Sequence, residues 1–217
     1  MTDVTWASAL KKIRPFVFRI FTPGGSGTGF QIANSEKTGM CGVATALHVV
    51  SHSDDWGEPI KIMHYDSRKT VLLQEADRSI DTNVGMDLAF ILFPNEDLPL
   101  KKEQLDMIPS EKRLTQGSPI GWCGFPALAP NELCFFTGHV SAFSDEERSY
   151  LIDGVAINGV SGGPAFHLGS SGPIICGVLS AYIPNRVTGE SLPGLCVIRD
   201  VTPYREILQD TKAEGVL

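Results

Sequence analysis

The chain has 217 residues, 42 % apolar and 20 % charged, enough to bury a sizeable core and unlike either a disordered or a membrane-embedded composition. Its net charge is −7, and the 18 Lys and Arg residues are spread along the chain, so neither nucleic acid nor an anionic membrane is expected as a partner. No uninterrupted apolar run approaches the roughly 20 residues that span a bilayer. Met1-Thr2-Asp3-Val4-Thr5-Trp6 also lacks the basic-then-apolar profile of a secretory leader, so a cytoplasmic location is expected.

The 22 Gly and 14 Pro residues separate short apolar runs, the pattern of many short strands joined by tight turns. Asp3 can cap a helix with Trp6, Ala9, Leu10 and Ile13 at helical spacing, ended by Pro15. Residues 16–21 and 28–33 read as the strands of a hairpin. The glycine-rich turn between them matches no phosphate-binding pattern and opens no helix. Residues 41–46 form a strand of small side chains running into His48, and 60–65, 70–74 and 87–93 supply further strands. Residues 51–57 and 76–82 read as polar turns. That gives six strands before Pro94, then a charged, Pro-containing linker over 94–117. A second set covers 119–124, 133–143, 149–152, 163–168, 174–182 and 195–199, and Thr202 can cap a closing helix with Pro203 at its first position. The expected fold is all-β: two six-stranded antiparallel β-barrels with short N- and C-terminal helices, divided into domains 1–110 and 111–217.

Five cysteines (Cys41, Cys123, Cys134, Cys176 and Cys196) are odd in number and sit in apolar runs, which favours buried free thiols over a disulfide framework.

The chemistry centres on Gly159-Val160-Ser161-Gly162-Gly163-Pro164. Three glycines around one serine describe a sharply bent backbone that displays a hydroxyl beside two inward-pointing amides. From average residue frequencies, the five fixed positions arise by chance in roughly one chain of this length in several thousand. A serine hydroxyl needs a base to take its proton, and that base needs a partner to hold its tautomer. His48, at the end of a strand of small residues, is the candidate base. Asp87, at the head of the apolar run Leu88-Ala89-Phe90-Ile91-Leu92, is a candidate partner. Taken singly, each signal is weak.

Together, Thr45-Ala46-x-His48, Asp87-Leu88-Ala89 and Gly159-x-Ser161-Gly162-Gly163-Pro164 resemble the His, Asp and Ser blocks of chymotrypsin-like serine proteases, in that order and on either side of a linker. The similarity runs from Gly27-Thr28-Gly29-Phe30 to Gly177-Val178-Leu179-Ser180, and its style is bacterial and HtrA-like through Gly138-His139-Val140-Ser141-Ala142 and Ala156-Ile157-Asn158. The resemblance implies a triad in the cleft between two barrels: Ser161 as nucleophile, His48 as general base then acid, Asp87 orienting it, and the amides of Gly159 and Ser161 as the oxyanion hole. It also implies that Val155 lines the base of the S1 pocket and that Ser180-Ala181-Tyr182 pairs with the substrate backbone. With no acid at Val155, cleavage after small or medium apolar residues is expected.

The chain departs from the family in two places. Val160 occupies the position where chymotrypsin-type zymogens carry the acid that pairs with a freed N-terminus, so that switch cannot operate. The PDZ domain that follows the HtrA protease is not expected in this chain. Regulation is therefore expected to come through loops 144–149, 154–160 and 184–193, which order on binding a protein partner or substrate.

Asp81 competes for the third triad position, but Thr82, Asn83 and Gly85 around it suggest a solvated turn, and resemblance and context favour Asp87. His52 follows His48 by four residues, as zinc ligands do on a helix, but Val49 stands where the metalloprotease pattern needs Glu. No metal or cofactor is expected. His64, His139 and His167 lie in strand-like runs and read as structural or surface residues, and Cys41 as an inert buried thiol. The leading expectation is a serine endopeptidase acting on protein or peptide substrates. The competing readings are a non-catalytic peptide-binding module on the same fold and a serine esterase or transacylase.

Overall fold

The computed structural model describes residues 4–95, 97–184 and 191–217, with the backbone alone described at 181–184 and 191–193. Thr5 caps the first helix, α1 (Trp6–Ile13): its hydroxyl accepts from the Ser8 N–H, and the Ser8 hydroxyl accepts from the Thr5 N–H. Asp3, the expected cap, lies outside the described residues.

The N-terminal half is a curled antiparallel sheet of β1 (Val17–Thr22), β2 (Gly25–Asn34), β3 (Met40–Ala46), β4 (Ile60–His64), β5 (Thr70–Leu73), β6 (Ser79–Asn83) and β7 (Leu88–Pro94). Its order is β5-β4-β1-β2-β3-β7-β6. The C-terminal half holds β8 (Pro119–Gly124), β9 (Cys134–Ser144), β10 (Ser149–Asp153), β11 (Pro164–Leu168), β12 (Pro173–Pro184) and β13 (Ser191–Asp200). These close into a barrel in the order β10-β13-β12-β11-β8-β9. This is a chymotrypsin-like double barrel whose first half has seven strands and stays open between β5 and β6. The additional strand is β6, within residues that read as a polar turn. Its Ser-Ile-Asp-Thr-Asn carries one apolar residue and is solvated on both faces, so only its pairing to β7 defines it. The expected boundary at 110–111 falls in the segment between β7 and β8. That segment is itself pinned to the second barrel by reciprocal backbone bonds of Asp106 and Ile108 with Ile175.

Strands β2, β3 and β7 are buried along most of their length because both of their faces are covered. Alternate residues serve different cores. Val43, Ile91 and Phe93 join Phe18, Ile20 and Ile62 inside the first sheet. Ala44, Leu88 and Phe90 face the second barrel and pack in one cluster with Trp122, Phe125, Val160 and Tyr204. The two halves thus share a buried seam, and the candidate residues stand at its edge.

Of the two remaining helices, one packs on the first sheet and the other closes the seam. α2 (Leu47–Asp55) directly follows β3, so residues 51–57 are mostly helix where a polar turn was expected. α3 (Thr202–Ala213) starts at Thr202 with Pro203 in its first turn, but Thr202 is not its cap: its N–H and hydroxyl are bound by the buried Asp200 carboxylate. Arg148 and Arg113 neutralise that carboxylate at 3.0 and 3.3 Å. From α3 the buried Tyr204 hydroxyl reaches the carbonyls of Thr45 (2.7 Å) and Ala89 (3.1 Å), which face each other across β3 and β7. The closing helix therefore holds the two strands that deliver His48 and Asp87.

Among the described residues no helix is long and apolar enough to cross a membrane. All five cysteines are free thiols; burial pushes the Cys41 thiol well up and Cys196 up to about 12.

Candidate active site

His48 is the second residue of α2, and its placement follows from how that helix begins. Ala46 offers no side-chain cap, so the first amide groups need acceptors from elsewhere. Asp87 supplies both: its carbonyl accepts from Leu47 N–H (3.0 Å), and its carboxylate Oδ1 accepts from His48 N–H (2.9 Å). A carboxylate at a helix N-terminus is also favoured by the helix dipole. The same carboxylate meets the imidazole, with His48 Nδ1 at 2.8 Å from Asp87 Oδ2. One residue thus positions both the main chain and the ring of His48.

Asp87 reaches this position through a strained backbone. Residues Val84–Met86 make a short 3-10 turn capped by the Asn83 side chain, and Asp87 follows in the left-handed region at φ 52°, ψ 44°. Aspartate tolerates that conformation better than most residues. Asp81 lies on the edge strand β6, opposite Phe90.

Behind Asp87 lies Ser180, 3 % exposed, whose hydroxyl donates to Asp87 Oδ2 at 2.5 Å. The pairing of β12 with β13 slips between Leu179 and Ala181, and this bulge re-aims Ser180 toward the seam. The resemblance assigned Ser180 a backbone role only; its side-chain bond to Asp87 carried no signal beyond a serine in an apolar run.

Burial by itself would raise the Asp87 carboxyl, but hydrogen bonds from His48 and Ser180, with the His48 charge, outweigh it and hold the group below its ordinary value. A carboxyl lowered on folding adds stability above its unfolded value of about 3.9 and loses it as pH falls through the folded value. The stability gap between wild type and Asp87→Asn, measured by urea denaturation, is therefore expected to hold at neutral pH and close below about pH 4. A gap independent of pH contradicts the lowered Asp87 carboxyl.

Ser161 sits in the turn between β10 and β11. Gly159 and Gly162 adopt φ +93° and +84°, and a Cβ at either would collide with backbone: the Phe125 carbonyl for Gly159, the Thr28 carbonyl for Gly162. The turn is stitched to its neighbours. Gly162 N–H donates to Leu179 O (2.7 Å), Leu179 N–H to Gly163 O (3.0 Å), and Thr28 N–H to Ser161 O (2.8 Å).

Two further bonds set the amide directions. Asn158 O accepts from Ala127 N–H (2.7 Å), and Val160 O accepts from Gly163 N–H (2.9 Å). In a trans peptide the N–H points opposite to its carbonyl, so the amides of Gly159 and Ser161 are turned the other way. Neither has a partner among the described residues. In the free chain Ser161 Oγ donates to Ser180 O at 3.3 Å, and no hydrogen bond joins it to His48. Such bonds are often long or absent without substrate and form when it binds.

His48, Ser161 and Gly159 line one groove of about 280 Å³ with Asn158, Val49 and His52 and with Thr22, Gly24, Gly25 and Ser26 of the first hairpin. His52, set aside as a metal ligand, here faces Glu58 at 3.4 Å on the rim. Val155 lies in the loop after β10, half exposed, and is not among the residues lining this groove. Ala181 and Tyr182 pair through their backbones with Val197 and Cys196, and their side chains lie outside the described residues, as do residues 185–190 of the expected 184–193 loop. His64 is buried between Ser67 and the Pro15 carbonyl, and His139 is exposed beside Asp153.

With this geometry in view, comparison with known proteins gives a consistent class. The model of the trypsin-like peptidase domain matches residues 27–172, and the chain belongs to that family. Two solved structures share its fold. Deg5 superposes with a TM-score of 0.66 at 20 % identity, covering 92 % of this chain and 90 % of that one. The inactive form of a serine-to-alanine mutant of Rv3671c from M. tuberculosis superposes with a TM-score of 0.63 at 16 % identity, covering 94 % and 90 %. The fold is that of an HtrA-like, trypsin-like serine protease. A search of curated proteins returns no match.

Proposed function

We propose that the chain is a serine endopeptidase working through Ser161, His48 and Asp87. The observation that carries this reading is the pairing of His48 with Asp87 beside a serine turn whose two amides are turned out without partners among the described residues. Ser161 attacks the scissile carbonyl as His48 Nε2 takes its proton, and the oxyanion is held by the Gly159 and Ser161 amides. His48 then gives the proton to the leaving amine, and water, deprotonated by the same ring, hydrolyses the acyl-enzyme. Asp87 keeps the proton on Nδ1 and stabilises the imidazolium. No step calls for a metal or cofactor.

In this reading the substrate adds as a strand beside residues 180–182. Val155 offers no counter-ion to a basic side chain, which favours small or medium apolar residues at P1. The five free thiols suit a reducing, cytoplasmic setting. A regulatory partner in this reading acts through loops 144–149, 154–160 and 184–193, the first two of which are already hydrogen-bonded in the free chain.

A chromogenic peptide panel tests the proposal: Val, Ala and Leu at P1 are expected to be cleaved with kcat/KM at least tenfold above Arg or Lys, since one or two methylenes in an apolar pocket change it by less than a missing counter-ion does. Preference for Arg overturns the pocket assignment, and no cleavage of any peptide or of an unfolded protein overturns the function.

A further inference from the structure

Thr28, on β2 of the N-terminal sheet, is fully buried at the seam, where an apolar side chain would be the ordinary choice. Its hydroxyl accepts from Phe125 N–H (3.1 Å) and donates to Gly159 O (2.8 Å). Its own N–H donates to Ser161 O (2.8 Å), and its carbonyl accepts from the buried Thr45 hydroxyl (2.7 Å). One residue of the first half therefore grips both ends of the three-residue turn that carries the two unpartnered amides. Thr45, which braces Thr28, lies on β3 three residues before His48.

The two peptides flanking Gly159 are fixed separately. Ala127 N–H holds the Asn158 carbonyl, which orients the Gly159 N–H, and Thr28 Oγ1 holds the Gly159 carbonyl. Between them stands a glycine at φ +93°, whose own torsions resist rotation less than those of any other residue. Removing the Thr28 anchor leaves the Gly159–Val160 peptide with a single weaker restraint, the Val160 N–H bond to Ile157 O at 3.1 Å. Val160 itself is buried and apolar and makes no ion pair. We propose that Thr28 is a positioning residue: its hydroxyl locks the turn so that the Gly159 and Ser161 amides are aimed at the developing oxyanion before substrate arrives. The inference rests on the endopeptidase reading. It places the lock inside the folded chain, across the seam, with no charged group taking part.

Thr28→Val keeps the shape and removes the hydrogen bonds, whereas Thr28→Ser keeps them. Both are compared with wild type on a chromogenic tetrapeptide with Val at P1 and for binding of the matching peptide boronic acid, which forms a tetrahedral adduct on serine. Thr28→Val is expected to lower kcat roughly 10- to 100-fold with KM within about twofold, the size expected of a misaimed oxyanion donor. Boronate affinity should fall in parallel with kcat/KM, the acid limb of the pH profile should stay in place, and Thr28→Ser should recover activity to within about threefold. A folded Thr28→Val with kcat/KM within threefold of wild type overturns the inference, as does a Thr28→Ser that loses as much as Thr28→Val. Should Thr28→Val not fold, Thr28→Ala replaces it, and equal kcat for the Ala and Ser variants overturns the inference. If wild type neither cleaves peptides nor reacts with a fluorophosphonate, the endopeptidase reading fails and this inference with it. Active wild type with an indifferent Thr28 sinks the inference alone.

Discussion

Ser161→Ala is expected to lower kcat by about a millionfold, to the level left by binding and the oxyanion amides alone. The substitution removes the attacking oxygen and little else, since Ser161 Oγ makes one bond, to Ser180 O at 3.3 Å. The turn is held through its backbone by Thr28, Leu179 and Gly163, none of which touches the hydroxyl. Thermal denaturation should therefore show the variant as stable as wild type while steady-state kinetics on a P1-Val peptide show it inactive. A folded Ser161→Ala retaining more than about a hundredth of wild-type kcat would mean that another nucleophile does the work.

The second large effect is at Asp87. In Asp87→Asn the one remaining oxygen must still accept from the His48 main-chain N–H, which now meets Oδ1 at 2.9 Å. That turns the amide NH2 toward Ser180 Oγ and His48 Nδ1, both of which now donate to Oδ2. The amide NH2 then meets Nδ1 at the shorter of its two contacts, 2.8 Å against 3.1 Å to Oδ1, and the ring accepts from it there, which puts its proton on Nε2, where it cannot take one from Ser161. A fall in kcat of about 10⁴ is expected, with KM little changed because Asp87 does not line the groove. A fall below tenfold would show that His48 keeps its tautomer without Asp87.

The strands of the second barrel and the hairpin of the first are legible from short runs rich in apolar residues, several of them bounded by Gly or Pro, as β8 and β11 are. What the runs did not reveal is that β2, β3 and β7 are covered on both faces, since a continuous apolar stretch records burial without saying by what. β6 was hidden for the opposite reason: Ser79, Asp81, Thr82 and Asn83 carry no apolar periodicity, and the strand exists through its ladder to β7. Residues 51–57 read as a polar turn although most of them are helix, because the cap of α2 is Asp87, 39 residues beyond His48 and invisible to any local signal.

The candidate site divides along the same line. His48, Asp87 and Ser161 stand in short distinctive blocks, and the structure brings all three to one end of the seam. Ser180 and Thr28 sit in ordinary strand sequence, and their importance comes only from which carbonyl or carboxylate the fold places opposite them. A buried hydroxyl in an apolar strand is the one hint both leave. Val155 marks the remaining distance between motif and geometry, since its assignment rests on spacing from Ser161 and the groove beside Ser161 is built from other residues.

The central claim is that Ser161 is a nucleophile activated by His48. Its most direct test is reaction of the full chain with a fluorophosphonate, followed by mass spectrometry of the digested protein. The account predicts one adduct, on the peptide carrying Ser161, lost in Ser161→Ala and slowed at least a thousandfold in His48→Ala. Equal labelling of wild type and Ser161→Ala, or an adduct on any other residue alone, would contradict it.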